Sequence, residues 1–215
     1  MGKKVLVVYG GWNGHQPEYF ANKISDWLKT QNANVFISDS TSIYTNEKLM
    51  NKLDLIIQHI TMNEITDDQL NGLIKAVANG TGLAGCHGGL ADSFRDKTEY
   101  QYMVGGQFVK HPGGEVNYKV TIENKKDPIT KGINDFKIFS EQYYMHVDPA
   151  LEILASTKFS GENDPWIKGA IVPVVWKKKY GKGKVFYNSI GHSKNTFEIP
   201  EVWNLIIRGI SWASK

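Results

Sequence analysis

A short apolar run near the amino terminus constrains the fold more than any other segment. Residues 4–9 read Lys-Val-Leu-Val-Val-Tyr, and the run stops at Gly10 and Gly11. A continuous apolar run of this length, unlike an alternating one, predicts a strand buried on both faces of a parallel sheet. Such a sheet needs helices on both sides, and 215 residues can supply them in one domain over residues 1–215.

The segments that follow alternate between helical and extended patterns. Apolar residues recur at helical spacing behind Pro17, a residue favoured in a first helical turn. Thr66 and Gln69 form a capping box that opens another helix. Further strands are expected at residues 34–38, 53–59 and 82–86. Residues 1–95 therefore predict an α/β fold with a doubly wound, mostly parallel sheet and right-handed crossovers.

The alternation of strands and helices ends at about residue 100, beyond which strand-like segments follow one another with little helix between them. These strands are expected at residues 116–123, 136–144, 151–157, 170–176 and 183–189. They predict an antiparallel β extension in the C-terminal half, closed by a helix over residues 200–213. Lys177, Lys178 and Lys179 are interpreted as a solvated hairpin tip.

Composition narrows the partners and the location. The 25 basic and 22 acidic residues give a net charge of only +3, and the basic residues are scattered, so nucleic-acid binding is not expected. No run is long and apolar enough to predict a membrane span. Cys86 is the one cysteine, which rules out an internal disulfide and fits a reducing compartment. We expect a cytoplasmic protein unless an export leader has been removed. Homo-oligomerisation stays open, because the many tryptophans and tyrosines could fill a subunit contact or the core.

The histidines give the best indication of function, because all six stand at or just beyond the ends of strand-like segments. They are His15, His59, His87, His111, His146 and His192. Open α/β sheets bind ligands outside the carboxyl ends of their strands, so the six are predicted to gather around one pocket. The alternative is that each imidazole only satisfies a free backbone group at the end of its strand.

One glycine-rich segment resembles the sharp strand-to-helix turn of a nucleophile elbow. Residues 85–89 read Gly-Cys-His-Gly-Gly, and the Gly-x-X-x-Gly count places His87 at the apex. Cys86 is then the last strand residue, pointing into the packing of the sheet. The alternative is a glycine-rich turn whose histidine only caps the helix.

Five motifs in order along the chain resemble those of a known family. They are Gly85–Gly89, Gly105–His111 with Pro112, Glu141–Tyr144, Pro173–Trp176, and Gly181–Tyr187 with Gly191 and His192. The set is similar to the ThuA-like (trehalose utilisation) family of the class I glutamine amidotransferase-like superfamily. The resemblance implies a flavodoxin-like core, a pocket at the elbow and a role in carbohydrate metabolism, often on oxidised sugars.

Glutamine hydrolysis itself is not expected. Amidotransferases of this superfamily use an elbow cysteine, a late histidine and an acidic residue two places after it. Here His87 occupies the elbow apex, and Lys194 stands two places after His192. His192 still occupies the position of the late histidine, between a strand and the final helix. It is expected to face His87 across the pocket, although a buried structural histidine there is the alternative.

These observations lead to an enzyme that acts on a sugar or oxidised-sugar derivative by hydrolysis, elimination or isomerisation. His87, Glu141 and His192 are predicted to do the acid/base chemistry. The residues predicted to bind substrate are Trp12, His15, His59, His111, Tyr143 and His146. Strand alternation over residues 140–144 favours Tyr143 as pocket wall and Tyr144 as core residue.

Two other functions stay open. In one, three histidines hold a divalent metal such as zinc and Glu141 activates its bound water, as in a metal-dependent hydrolase. No local metal-binding motif supports this reading, so no cofactor is assigned. In the other, the chain is a sugar-binding protein without catalysis.

Overall fold

A nine-stranded sheet runs through the computed structural model, which describes residues 2–215. The strands are β1 (Lys4–Gly11), β2 (Asn34–Ser38), β3 (Leu55–Thr61), β4 (Gly82–Cys86), β5 (Gly106–Lys110), β6 (Glu115–Ile122), β7 (Phe136–Glu141), β8 (Tyr144–Val147), β9 (Glu152–Lys158), β10 (Ile171–Tyr180) and β11 (Gly183–Asn188). The helices are α1 (Pro17–Thr30), α2 (Glu47–Met50), α3 (Asp67–Ala78), α4 (Gly88–Ala91), α5 (Thr98–Val104), α6 (Lys194–Phe197) and α7 (Pro200–Ala213).

The large sheet has a parallel half and an antiparallel half. Its strand order is β2-β1-β3-β4-β11-β10-β9-β6-β7, and the strands from β2 to β11 pair in parallel. The pairings from β11 outward to β7 are all antiparallel. The predicted α/β fold with a mostly parallel sheet and an antiparallel extension is thereby confirmed.

The first strand shows why helices are needed on both faces. Val5 and Val7 pack on one side with the apolar residues of α1 and α7, whereas Leu6 and Val8 pack on the other with those of α3. All four side chains are buried. Burying an aliphatic side chain of this kind contributes about 1.5–3 kcal/mol, so one strand anchors two layers of helix.

The strand predicted over residues 136–144 is wrong in its extent. It is two strands, because β7 ends at Glu141 and β8 leaves the large sheet to pair with β5 in a separate two-stranded sheet. Gln142 holds the bend between them, since its Nε2 donates a hydrogen bond of 2.7 Å to Oγ1 of Thr157 on β9. This break frees Tyr143 from the alternation of either strand.

The prediction of a solvated hairpin tip at Lys177–Lys179 is also wrong. These residues lie within β10, where Lys177 is buried and pairs with Asp127, and Lys178 Nζ lies 2.7 Å from an Asp148 carboxylate oxygen. Lysine stems can pack along apolar surface while the ammonium group meets a charged partner, and the sequence pattern did not reveal those partners.

Strand direction determines where β7 delivers its last residue. Four antiparallel pairings separate β7 from β11, so β7 runs in the same direction as the parallel strands. Its carboxyl end therefore lies at the same edge of the sheet as the carboxyl ends of β1, β3, β4 and β11. That edge carries Glu141 and the loops that follow the parallel strands.

The turn between β4 and α4 is tight enough to require glycine. His87 has φ +52°, in the left-handed region that side chains rarely adopt, and Gly88 and Gly89 follow it. A Cβ atom on Gly89 would lie 2.3 Å from Nδ1 and 2.8 Å from Cα of His59. Glycine here lets the helix start against β3.

Within residues 2–215, none of the helices has the length and apolar character that crossing a bilayer would require.

We expect Gly89→Ala to destabilise the fold by about 1–3 kcal/mol, because its methyl group overlaps the backbone and ring of His59. Thermal unfolding measures the loss, and the imidazole NMR resonances of His59 should shift. Gly132→Ala is the control: a Cβ there meets no atom within 4 Å and only φ +78° is strained, so its His59 resonances should stay in place. An unchanged melting temperature in Gly89→Ala would contradict the packing described.

Candidate active site

The carboxylate of Glu141 is the centre of a histidine cluster. Its side chain is only 9% exposed, although it is the last residue of a strand. Three rings contact its Oε2 atom: the nearest ring nitrogen lies 2.9 Å away in His87, 3.2 Å away in His192 and 3.8 Å away in His15. The fourth ring, that of His111, has its nearest nitrogen 3.6 Å from Oε1. Four rings from four loops thus surround one carboxylate.

The elbow holds His87 in one orientation. Its backbone N–H donates to the carbonyl of Asn188 at 2.7 Å, and its ring Nδ1 donates to the carbonyl of Ser189 at 2.7 Å. Its ring stacks on Tyr143 with 4.0 Å between centroids. Since a carbonyl only accepts, Nδ1 carries a proton. The other ring nitrogen, Nε2, is turned toward Glu141.

His15 reaches the cluster from the loop after β1. It ends a short 3-10 helix over Asn13–His15, and its Nδ1 lies 2.9 Å from Oγ1 of Thr61 at the end of β3. A Cβ on Gly88 would stand 2.8 Å from Cε1 of His15. The second glycine of the elbow therefore gives this ring its place.

His192 and His111 form the more open side of the cluster. His192 follows β11 and is 17% exposed, whereas His111 follows β5 and is 40% exposed. Among the described residues, the buried Nδ1 atoms of both rings have no hydrogen-bond partner. Oε2 of Glu141 lies 3.2 Å from Nδ1 of His192, but the two groups are not aligned for a hydrogen bond.

Burial and neighbouring charge set the protonation of the cluster. Burial would raise the pKa of Glu141, but the histidines beside its carboxylate outweigh it and hold that pKa well below the usual range. Burial lowers the pKa of His87 to about 4, against the opposing effect of Glu141. Glu141 raises the pKa of His192 above that of a free imidazole. At neutral pH the centre therefore carries an ionised carboxylate beside a neutral His87.

Two residues that the sequence analysis names, His59 and Cys86, lie behind the cluster and away from solvent. The ring of His59 is fully buried between Phe20, at 4.5 Å between centroids, and the Sγ of Cys86, at 3.7 Å. Burial lowers the pKa of His59 to about 3 and raises that of the Cys86 thiol. His59 thus supports the loop of His15 without an open path to a substrate, and Cys86 is a protonated core thiol.

The remaining predicted substrate residues take different places. Trp12 is 47% exposed and its ring meets that of His15 edge-on at 4.7 Å between centroids. Tyr143 is buried between His87 and Phe108, while Tyr144 is only partly buried. His146 is exposed on β8, opposite Gln107, and does not join the cluster.

Sequence reasoning missed two residues that orient the rings. Thr61 ends β3 and Ser189 immediately follows β11, so both lie at the edge of the sheet that carries the histidine cluster. The same rule of strand ends could have found them. Their role depends on a hydroxyl or carbonyl in contact with an imidazole, which only the folded arrangement reveals.

Comparison with solved structures supports the fold. A ThuA-like protein from Bacteroides uniformis has a TM-score of 0.79 at 20% identity, covering 98% of this chain and 91% of its own. A ThuA-like protein from Parabacteroides merdae has a TM-score of 0.77 at 17% identity, and the match covers 99% of this chain and 90% of that protein. A Salmonella typhimurium protein described as cytoplasmic has a TM-score of 0.67 at 14% identity, and the match covers 99% of this chain and 100% of that protein. A comparison with curated proteins gave no match.

Sequence comparison identifies the family directly. The ThuA family model, described as trehalose utilisation, matches residues 4–213. This description indicates a carbohydrate-related role and agrees with the motifs from Gly85 to His192. The chain belongs to the ThuA family.

Proposed function

We propose that this protein is an enzyme that transfers protons on a sugar or oxidised-sugar derivative held above the Glu141 cluster. The observation that carries the proposal is the buried carboxylate with imidazole nitrogens from four separate loops within 3.8 Å. A buried ionised group is costly unless it is paired, and such arrangements concentrate at reaction centres.

The three groups predicted for acid/base work differ in how far they can reach a substrate. Glu141 is the proposed base, acting through Oε1, the oxygen on the side of the exposed His111. His192, which is partly exposed, is its proton partner. His87 is fully enclosed, so it acts as a positioning residue through Glu141.

The open side of the cluster has the chemistry of a sugar site. The exposed indole of Trp12 offers a flat apolar face for the C–H groups of a pyranose, and it contacts the ring of His15. His111 and His192 offer polar nitrogens for hydroxyl or carbonyl oxygens. A small carbohydrate is therefore the proposed partner, and the scattered basic residues give no basis for nucleic acid.

The chemistry that needs the fewest groups is removal of a proton from the carbon next to a carbonyl. The carboxylate takes the proton, the C–H electron pair forms a C=C bond, and the charge moves to the carbonyl oxygen, which gives an enolate. In an isomerisation the α-hydroxyl gives its proton to the enolate oxygen and the former carbonyl carbon takes the proton back from Glu141, so the C=O bond moves to the α-carbon. In an elimination the C=O bond re-forms, a C=C bond forms, and the β-hydroxyl takes the proton from Glu141 and leaves as water. Hydrolysis is the variant for a glycoside: water gives a proton to Glu141 and bonds to the anomeric carbon, while the glycosidic C–O bond breaks and His192 gives a proton to the departing oxygen.

The rival without catalysis is a sugar-binding protein. It would use Trp12 and the open histidines in the same way but release its ligand unchanged. A cytoplasmic location belongs to the proposal and draws support from the single Cys86 and from the Salmonella protein described as cytoplasmic.

Glu141→Gln should lower turnover roughly 100- to 10,000-fold, because the amide keeps the shape of the side chain but cannot take a proton. The assay is exchange of substrate C–H hydrogen for deuterium in D₂O, followed by NMR or mass spectrometry over aldoses, ketoses and keto-sugars. His146→Ala, whose imidazole lies outside the cluster, is the matched control and should stay within about twofold of wild type. Undiminished exchange in Glu141→Gln would remove Glu141 from the mechanism, and binding without any conversion would favour the rival.

Trp12→Ala should raise KM by up to roughly tenfold while kcat stays close to wild type, because the lost ring contact is worth about 0.5–1.5 kcal/mol in both ground and transition state. Steady-state kinetics measure the two constants separately. Tyr102→Ala is the control, since Tyr102 is 61% exposed but packs near Tyr180, at the opposite edge of the sheet. A fall in kcat alone would argue against a binding role for the indole.

A further inference from the structure

Four side chains of the cluster offer their donor atoms to a common point. His15, His87, Glu141 and His192 each supply one ligand atom, and these atoms all lie within 4.8 Å of one another. The nearest pairs are 2.9 and 3.2 Å apart. Two ligands of one tetrahedral Zn²⁺, each bonded at about 2.0–2.2 Å, lie roughly 3.3 Å from each other, so the two nearest pairs already have the spacing of donors around a shared ion. A pair as wide as 4.8 Å must close by roughly 1.5 Å when the ion binds.

The rings of His15 and His87 are oriented as metal-ligating histidines usually are. His87 gives its Nδ1 proton to the carbonyl of Ser189, and His15 has its Nδ1 hydrogen-bonded to Thr61. For His87 the carbonyl can only accept, so a neutral ring has its lone pair on Nε2, facing Oε2 of Glu141. His15 takes the same tautomer when its Nδ1 donates to the Thr61 hydroxyl. Histidine ligands of metals almost always have such an outer partner, which fixes the tautomer and the direction of the ring.

This arrangement turns ring nitrogens toward an oxygen of a carboxylate, which accepts but does not donate when it is ionised. Nε2 of His87 lies 2.9 Å from an oxygen of Glu141, and with Nδ1 already donating to Ser189 this contact needs either a second proton or a metal ion between the two atoms. The buried Nδ1 of His192 has no hydrogen-bond partner within residues 2–215, which is a costly state for a polar atom. A single cation in the midst of the four atoms resolves both problems.

From this geometry we infer that His15, His87, His192 and Glu141 bind one divalent transition-metal ion. Three imidazole nitrogens and one carboxylate oxygen suit Zn²⁺ or a neighbouring first-row ion, whereas Mg²⁺ and Ca²⁺ prefer oxygen ligands throughout. The ligands come from the loops after β1, β4 and β11 and from the end of β7.

The ion changes one role in the proposed function. His192 then holds metal through Nδ1, and the partner of Glu141 Oε1 in proton transfer is His111, which lies 3.6 Å from that oxygen and outside the ligand set. Because four protein ligands already surround it, the ion would polarise the carbonyl oxygen of the sugar as a fifth ligand. This catalytic role rests on the proposed function, but ion binding does not.

The test uses full-length protein purified without a nickel column, stripped with a chelator and titrated calorimetrically with ZnCl₂, MnCl₂ and NiCl₂. Wild type should bind one ion, and His192→Ala should weaken binding at least roughly 100-fold. Thr61→Val removes only the outer partner of His15, so it should weaken binding roughly 10- to 100-fold. His146→Ala is the matched control with wild-type affinity, and circular dichroism verifies that each variant is folded.

The outcomes separate the inference from the proposed function. Stripped wild type that binds none of the three ions at a 1:1 ratio overturns the inference, as does binding that survives both His192→Ala and Thr61→Val unchanged. If the stripped protein then still exchanges deuterium into a sugar, the proposed function stands without metal. Tight 1:1 binding lost in His192→Ala upholds the metal site even when no sugar is converted, and the proposed function alone then fails.

Discussion

The structure depends on keeping one carboxylate charged in a nearly closed space. Imidazoles from four loops surround Glu141, and several features hold these rings in place: glycine at 88 and 89, a left-handed His87, the contact of the His15 ring with Thr61, and the hydrogen bond that the His87 ring donates to the carbonyl of Ser189. A buried charge that loses its partners is strongly destabilising, so fold and site constrain one another here.

Much of the fold could be predicted, because its signals are local. The apolar run from Val5 to Val8, the capping box at Thr66 and the glycines of the elbow each act within a few residues. The break after Glu141 escaped prediction because it depends on Gln142 bonding to Thr157, a partner on another strand. The lysines of β10 were misread for the same reason, since their carboxylate partners lie elsewhere in the chain.

The site was predictable as a set of strand ends but not in its internal order. The rule that ligands bind beyond parallel strands located His15, His87 and His192, and the family motif supplied Glu141. Strand ends alone cannot tell a ring that meets the carboxylate from one that lies sealed behind it or outside it. His59 lies within β3 and is enclosed beside Phe20, and His146 lies within β8, which pairs with β5 in the separate sheet, so neither ring reaches the carboxylate as His15 does from the loop after β1.

The strand count of the antiparallel arm has a consequence for how this family can vary. Glu141 arrives at the histidine edge only because an even number of direction reversals lies between β11 and β7. Gain or loss of a single strand would invert the parity and send the carboxylate to the far side of the molecule. Relatives that keep this carboxylate beside the histidines should therefore lengthen their connecting loops freely but gain or lose strands in the arm only two at a time.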